Sequence, residues 1–271
     1  MFSSAAEKGQ KMPKLIACVF ILSSLVFLIS CQSNRYGIAE FDDKVNLYNA
    51  QDKVVLLHGM YRDSIAMQPV EQFLSAQGYE VTSISYPSTA FNIQTLVKEH
   101  LEPVVKNLKT EGNQKIHFVT HSMGGILVRY YLKHHPLEQL GKVVMIAPPN
   151  HGTELAELFM DSTWIDTKSN PAKLQLSAQD DSWVNQLGPV NFELGIIAGN
   201  DNSNWITDWL LQGDDDGVVS VESTKVDNMQ DFIIVPEKHF RLRGNRSVLQ
   251  QAAYFLKYAN FYRAASLEIG N

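Results

Sequence analysis

The chain has 271 residues, enough for one large domain and short for two. Hydrophobic residues make up 45% of it and charged residues 19%, a composition typical of a folded globular protein and not of a coiled coil or a disordered chain. The formal net charge is −6, and because nucleic-acid binding relies on clustered lysine and arginine, the composition argues against a nucleic-acid partner.

Residues 1–30 have the pattern of a secretory signal, in which a basic flank precedes a short apolar core. The apolar core extends over residues 15–30, which is shorter than the ~20 apolar residues of a membrane-spanning helix. Its basic flank consists of Lys8, Lys11 and Lys14. Met12 starts an equally complete signal of this kind. We therefore expect residues 1–30 to be a signal peptide.

Cys31 follows this core in the tetrapeptide LISC, which resembles the lipobox of bacterial lipoproteins, whose cysteine is lipidated after cleavage before it. The resemblance implies a lipid anchor on Cys31, a tether over residues 31–50 and attachment to a membrane of a bacterial cell envelope. Gln32 replaces the aspartate that favours inner-membrane retention, which makes the outer membrane the expected location. An uncleaved amphiphilic anchor is the alternative. The other cysteine is Cys18, so cleavage leaves no disulfide pair and no cysteine-based metal site.

From Asp52 onward, short apolar runs alternate with amphipathic stretches of helix length. Strands are predicted at Val54–Leu57, Tyr79–Ser85, Ile116–Thr120, Lys142–Ala147, Leu194–Ala198 and Phe232–Val235. Helices are predicted at Ile65–Gln77, Ile93–Lys109, Met123–His134 and Val248–Ala264. This alternation predicts an α/β fold, with a mostly parallel central sheet flanked by helices, for residues 51–271. Ligand sites of such sheets lie at the carboxyl ends of the strands.

Residues 148–190 interrupt the alternation with several prolines and tryptophans and a helix-like stretch at Thr153–Met160. A long excursion in a compact domain is usually functional or disordered, and we interpret this one as a cap over the site. Its apolar side chains either line an acyl pocket or form the cap's own core; they include Leu155, Leu158, Phe159 and Trp164.

Ser122 lies where a predicted strand runs into a tight turn and a helix follows at once. In a nucleophile elbow the serine occupies a strained turn, so its neighbours two positions away must be small. Gly124 meets this demand, and Gly125 allows the helix to pack closely. The pattern therefore predicts Ser122 as a nucleophile exposed above the edge of the sheet.

At this point the chain resembles the α/β-hydrolase superfamily, and within it the small bacterial lipase- and esterase-like group. The resemblance extends from about Lys53 to Phe261. It rests on the segments VVLLHGM (54–60), THSMGG (120–125), APPNHG (147–152) and DGVV (216–219) and on the Lys238-His239 pair. One departure is Thr120, which stands where the superfamily's usual pentapeptide has its first glycine.

The resemblance implies a catalytic base and acid for Ser122, because the superfamily's chain order is serine, acid, histidine. His239 follows a predicted strand, and no other histidine occurs after residue 151. Asp216 matches the group's acid motif; Asp214 or Asp215 as the acid, a solvated acidic loop and an oxygen-ligand calcium site remain alternatives.

Two backbone N–H groups would stabilise the oxyanion of the tetrahedral intermediate. The first is that of Met123, the residue after the nucleophile, and the resemblance places the second at Met60. The remaining histidines have no ligand spacing that indicates a metal site. Among them, we expect His121 to pack behind the elbow, His58 to order its loop, and His151 to be a less favoured substrate contact.

The predicted function is hydrolysis of carboxylic esters, in particular lipid or acylated substrates, without a cofactor. The substrate class follows from the resemblance and not from the fold. A thioesterase, amidase or acyltransferase on the same triad is an alternative, as is an inactive lipid-anchored binding protein.

The lipobox interpretation predicts that Cys31→Ala blocks processing or releases the protein from membranes, because the acyl chains would have no attachment atom. Membrane fractionation and the mass of the mature protein measure this. An unchanged mass and unchanged fractionation in Cys31→Ala would contradict the lipoprotein interpretation.

Overall fold

A computed structural model describes residue 47 and residues 52–158, 170–202, 210–211 and 213–263. The predicted signal peptide, Cys31, most of the tether, Phe159 and Trp164 lie outside these ranges. Within them, no helix combines the length and the apolar character that crossing a membrane requires.

Six parallel strands form one sheet in the order β2-β1-β3-β4-β5-β6. The strands are β1 (Lys53–Leu57), β2 (Glu80–Ile84), β3 (Ile116–His121), β4 (Leu140–Ile146), β5 (Leu194–Gly199) and β6 (Asp231–Val235). Each coincides with one of the six predicted strands within one or two residues at either end. The predicted parallel sheet is therefore confirmed.

Helices lie between successive strands, and the last helix follows β6. They are α1 (Gln68–Ala76), α2 (Ile93–Leu96), α3 (Glu102–Asn107), α4 (Met123–His134), α5 (Glu154–Leu158), α6 (Pro171–Leu174), α7 (Val221–Thr224) and α8 (Arg246–Tyr258). A π-helical turn, Val97–Leu101, joins α2 to α3, so that the predicted helix from Ile93 is one helical stretch that ends at Asn107. Short 3₁₀ turns at Ser64–Met67, Asn185–Leu187 and Leu242–Gly244 complete the set.

Several helix boundaries differ from the prediction for local reasons. A 3₁₀ turn replaces the first residues of the predicted helix at Ile65, and Pro69 stands in the first turn of α1. The last predicted helix ends at Tyr258 and not at Ala264, because Ala259 adopts a left-handed φ of 59° that terminates α8. In the excursion, the predicted stretch Thr153–Met160 contains α5.

Hydrophobic cores lie on both faces of the sheet, because alternate residues of each strand point in opposite directions. On one face, Val55 and Leu57 of β1 pack with residues of α2, α3 and α4. On the other face, Val54 and Leu56 pack with residues of α1 and α8. Both faces are therefore covered by helices.

Four strands end close to the segments that the sequence singled out. Residues 58–60 follow β1, Ser122 follows β3, Asp216 lies in the segment after β5, and His239 lies four residues after the end of β6. Because all strands are parallel, these segments lie at one edge of the sheet.

Gly195 in β5 supports the aromatic ring of Phe255 in α8. A Cβ atom on Gly195 would lie 2.6 Å from Cδ2 of Phe255, whose side chain is fully buried. The helix therefore approaches the sheet closely at this point.

Gly195→Ala is expected to lower the free energy of unfolding by about 1–3 kcal/mol, because the added methyl group overpacks the contact with Phe255. Urea denaturation at constant pH measures the change. Gly244→Ala is a matched control, since a Cβ there meets no atom within 4 Å. An equal free energy of unfolding for Gly195→Ala and wild type would show that α8 moves away from the sheet without destabilising the fold.

Candidate active site

Ser122 occupies a strained turn between β3 and α4. Its φ is 56° and its ψ is −130°, a conformation that residues other than glycine rarely adopt. The Ser122 N–H donates to the carbonyl oxygen of Ile146 at 2.9 Å, and the Ser122 carbonyl accepts from the Gly125 N–H at 2.9 Å. Both backbone polar groups are thus used to hold the turn, and the hydroxyl remains available to a ligand.

Two glycines make room for this turn. A Cβ on Gly124 would lie 2.7 Å from the carbonyl oxygens of both Leu57 and His58. A Cβ on Gly59 would lie 2.8 Å from Cβ of Ser122. The loop after β1 and the start of α4 are therefore in backbone contact, which side chains at either position would prevent.

Thr120, which stands where the usual pentapeptide has its first glycine, is accommodated inside the sheet. Its side chain is fully buried in β3, and its hydroxyl points towards the carbonyl oxygen of Val144 at 3.5 Å. The threonine methyl and hydroxyl thus pack between neighbouring strands.

His239 and Asp216 form a buried pair. Nδ1 of His239 lies 2.7 Å from Oδ2 of Asp216, and both side chains are 2% exposed or less. Oδ1 of Asp216 accepts hydrogen bonds from the N–H groups of Val218 and Val219 at 3.0 and 2.8 Å. The His239 N–H in turn donates to the Asp216 carbonyl oxygen at 3.0 Å. Side chain and backbone together fix the orientation of the imidazole ring.

The neighbouring aspartates face other partners. Asp214 is exposed. Asp215 is buried, and it accepts hydrogen bonds from the Gly217 N–H at 2.7 Å and from Nδ2 of Asn202 at 3.0 Å. Asp215 therefore shapes the loop, whereas Asp216 is the member of this acidic run that contacts the imidazole.

Ser122 and His239 open onto the same cavity, which has a volume of about 450 Å³. No hydrogen bond joins the Ser122 hydroxyl to the His239 ring in this structure; such contacts often tighten only when substrate binds. Most other lining side chains are apolar; they include Met60, Met123, Leu155, Ala156, Leu176 and Val219. The cavity is thus an apolar pocket with a serine and a histidine in its wall.

Met60 and Met123 line the cavity beside Ser122. Within the described ranges, neither backbone N–H donates a hydrogen bond to a protein group. Met123 is the first residue of α4, where an N–H has no partner inside the helix. Two free donors therefore adjoin the serine.

His121 packs behind the His239–Asp216 pair. Its ring lies 4.7 Å from the His239 ring, centroid to centroid, and its Nε2 donates to the His239 carbonyl oxygen at 2.9 Å. Burial first, and then the charge of His239, lower the pKa of His121 well below its usual value. His121 is therefore a neutral side chain that positions the backbone of His239.

His58 orders the loop after β1. Its Nδ1 donates to the Gly59 carbonyl oxygen at 2.8 Å, its Nε2 accepts from the Tyr86 N–H at 3.3 Å, and its ring stacks on that of Tyr86. These partners require a neutral ring, and burial lowers the pKa of His58.

Part of the excursion forms one wall of the cavity. Leu155 and Ala156 of α5 line it, and Thr153 donates from Oγ1 to the Val218 carbonyl oxygen at 2.6 Å. Asn170 donates from Nδ2 to the Tyr61 hydroxyl at 3.1 Å. These bonds connect the excursion to the loop that carries Asp216 and to the loop after β1.

The structure also places residues in the cavity that the sequence analysis did not single out. Tyr61, Lys173 and Phe240 line it. Phe240 was detectable only as the neighbour of His239. By contrast, His151 is exposed, and its Nδ1 lies 2.6 Å from Oδ1 of Asn185 outside the cavity.

No group of three or more His, Cys, Asp or Glu side chains with metal-binding geometry occurs in the described part of the chain. In the acidic loop, the carboxylates of Asp215 and Asp216 accept hydrogen bonds from the loop's own backbone N–H groups.

The fold is similar to solved structures of lipases and esterases. The mature form of a lipase from Bacillus licheniformis is 19% identical with a TM-score of 0.56, and the match covers 80% of this chain and 96% of that one. A metagenomic carboxyl esterase is 16% identical with a TM-score of 0.60, covering 81% of this chain and 79% of that one. This chain has the α/β-hydrolase fold. At such identities the likeness shows the fold alone.

Two sequence comparisons add relatives. Residues 53–187 match the family model of palmitoyl protein thioesterases. Methylesterase 7 of Arabidopsis thaliana is 32% identical over 85 residues, and the match covers 29% of this chain and 33% of that protein. The chain thus matches about a third of the length of that curated relative.

The buried His121 predicts a loss of stability at mildly acidic pH. Its folded-state pKa lies below the unfolded value near 6.5, so the unfolded chain binds a proton that the folded chain excludes, and stability falls as the pH drops through about 6.5. His58 acts in the same direction. Between about pH 7 and about pH 5.5, His121→Gln should lose about 1 kcal/mol less unfolding free energy than wild type.

Urea denaturation at the two pH values measures this difference. An unchanged dependence of the unfolding free energy on urea concentration checks that unfolding stays two-state. Equal losses in wild type and His121→Gln would show that His121 takes up its proton without unfolding.

Proposed function

We propose that this protein is a serine hydrolase that cleaves acyl esters through an acyl-enzyme intermediate. The observation that carries the proposal is the cavity shared by Ser122 and His239, with Nδ1 of His239 bonded to the buried carboxylate of Asp216. A hydroxyl needs a base to become nucleophilic near neutral pH, and the base needs a group that fixes its tautomer.

In this mechanism Asp216 keeps the proton of neutral His239 on Nδ1, which leaves Nε2 free to accept. Ser122 attacks the carbonyl carbon of the ester, and Nε2 takes its hydroxyl proton. The Met60 and Met123 N–H groups would stabilise the oxyanion. His239 then gives the proton to the leaving group, and an acyl-serine forms. Water activated by the same Nε2 releases the acid and restores Ser122.

The lining of the cavity supports an apolar acyl group. Leu155, Ala156, Leu176 and Val219 provide walls without charge, and a volume of about 450 Å³ is within the range of small-molecule sites. Both sequence matches, a thioesterase family model and a methylesterase, support a hydrolase acting on ester-type substrates.

Acyl thioesters are the second candidate substrate class. The family match spans residues 53–187, which include the loop after β1, Ser122 and most of the excursion. The same chemistry applies, with a thiol as leaving group. Kinetics on an ester and a thioester of the same acid would distinguish the two classes.

The proposal also includes a place of action at a bacterial membrane. Its support is the LISC tetrapeptide ending at Cys31. An envelope hydrolase anchored there would meet acylated and lipid substrates.

Ser122→Ala is expected to abolish turnover of short-chain p-nitrophenyl esters and labelling by a fluorophosphonate probe, because the attacking oxygen is removed. Turnover assays and mass spectrometry of the labelled protein measure both. Labelling that persists in Ser122→Ala would assign the nucleophile to another residue, and a folded wild type inert to both reagents would favour a binding protein.

Asp216→Asn is expected to lower kcat by about 10³- to 10⁴-fold while the protein stays folded, because the amide no longer fixes the tautomer of His239. Asp214→Asn is the matched control, since Asp214 is exposed and two positions away. Circular dichroism verifies the fold of both variants. A similar kcat in the two variants would remove Asp216 from the mechanism.

A further inference from the structure

A second cleft adjoins the cavity onto which Ser122 and His239 open, which we call the acyl cavity. The second cleft has a volume of about 340 Å³, and Arg241 and Arg243 lie in its wall together with Glu237. Phe240 lines both this cleft and the acyl cavity. We call the cleft, together with Arg62 beside it, the arginine cleft. One aromatic side chain thus separates it from the cavity that contains Ser122.

Arg62 adds a third positively charged side chain to the arginine cleft. Its guanidinium carbon lies 4.8 Å from the centroid of the Phe240 ring, a cation–π distance. Burial first, and then the charge of Arg62, lower the pKa of Arg243. Arg62 and Arg243 come from distant parts of the chain, and both lie beside Phe240.

The arginines lack matching carboxylates. Within the described ranges neither Arg62 nor Arg243 has an ion-pair partner, and Nη1 of Arg243 is buried without any hydrogen bond. Glu237 lies 3.7 Å from Nε of Arg241, but its two oxygens also accept from the Lys238 N–H and from Nδ2 of Asn245. The cleft therefore carries a local excess of positive charge in a protein whose formal net charge is −6.

An excess of guanidinium groups with an unused, buried N–H indicates an oxyanion ligand. Burying such a donor without a partner is unfavourable, and phosphate offers several acceptor oxygens with a geometry that guanidinium matches.

The position of the cleft indicates which part of a substrate would carry the anion. In the proposed mechanism, His239 donates a proton to the leaving group, so the leaving group must lie beside His239. The chain continues from His239 directly into Phe240 and Arg241. The acyl chain, by contrast, is expected in the apolar cavity lined by Leu155 and Leu176.

We infer that this hydrolase prefers acyl esters or thioesters whose leaving group carries a phosphate, and that Arg62, Arg241 and Arg243 bind this phosphate across the Phe240 ring from the acyl cavity. The inference rests on the proposed function and assigns the substrate class of that site.

Two short esters of the same acid test it. Hexanoyl glycerol 3-phosphate and hexanoyl glycerol differ by the phosphate and are used as monomers, which removes any contribution of a lipid surface. The readout is the ratio of kcat/KM for the phosphate ester to kcat/KM for the neutral ester. Wild type should favour the phosphate ester by about tenfold or more, and the preference should weaken with added salt.

Arg62→Gln and Arg243→Gln should each lower this ratio by about tenfold, mainly through KM of the phosphate ester. Arg62 is exposed, so its variant keeps the test valid if Arg243→Gln does not fold. Lys106→Gln is the matched control: it removes one positive charge at the end of α3, at the opposite edge of the sheet, and should leave the ratio unchanged. Inorganic phosphate should compete with the phosphate ester, and less effectively in Arg62→Gln.

Equal kcat/KM for the two esters in wild type, with Ser122 still labelled by fluorophosphonate, would overturn the inference and leave the proposed function intact. An effect of the arginine variants seen only on anionic vesicles, and not on monomeric esters, would also overturn it and assign the arginines to a membrane surface. Failure of both esters together with an unlabelled Ser122 would overturn the proposed function as well.

Discussion

The close contact between the loop after β1 and the start of α4 is the constraint on which the site depends. Ser122 holds a left-handed backbone that is unfavourable for serine, and such strain persists only where the surroundings determine it fully. Here Gly59 and Gly124 let two backbone segments touch, and the Ile146 carbonyl holds the Ser122 N–H. The contact exists because β1 lies next to β3 in the sheet. The sheet order thus controls where the hydroxyl points.

A second set of bonds connects the imidazole to the same framework. Asp216 uses one carboxylate oxygen for backbone N–H groups and the other for His239, so the carboxylate has little freedom to turn away. His121, the residue before Ser122, donates to the carbonyl oxygen of His239. The serine turn and the histidine loop are therefore joined by a direct hydrogen bond, although β4 and β5 lie between their strands in the sheet, and a shift of either loop would be transmitted to the other.

The two sides of the site formed by Ser122, His239 and Asp216 differ in polarity. On one side lies an apolar cavity whose wall is partly formed by α5, and on the other lies a cleft with three arginines. Phe240 stands between them and contacts both the His239 ring and the Arg62 guanidinium. This arrangement suits a substrate with an apolar acyl chain at one end and a charged group at the other. It also explains how an acidic protein can present a locally positive surface beside its site.

The sequence alone determined much of this protein. The sequence pattern marked the strands that the structure describes. β1 and β5 are buried at every residue, and strands buried on both faces have few alternatives to β-branched and aliphatic residues. Ser122 followed from the turn between strand and helix, where Gly124 is required by a carbonyl contact that any side chain would break. The resemblance to α/β-hydrolases implied His239 and Asp216, and the structure places both at the sheet edge where Ser122 follows β3.

Other features were decided only by the tertiary structure, because they join residues that are distant along the chain. The resemblance favoured Asp216 but left Asp214 and Asp215 as alternatives. The packing of the loop after β5 brings Asp216 to the imidazole, whereas Asp215 accepts from the Gly217 N–H. Short helices such as α6 and α7 have too few residues to show a helical periodicity of apolar residues in the sequence. Arg62 and Arg243 are separated by most of the domain, and their shared place beside Phe240 arises because β1 and β6 deliver their loops to one edge of the same parallel sheet.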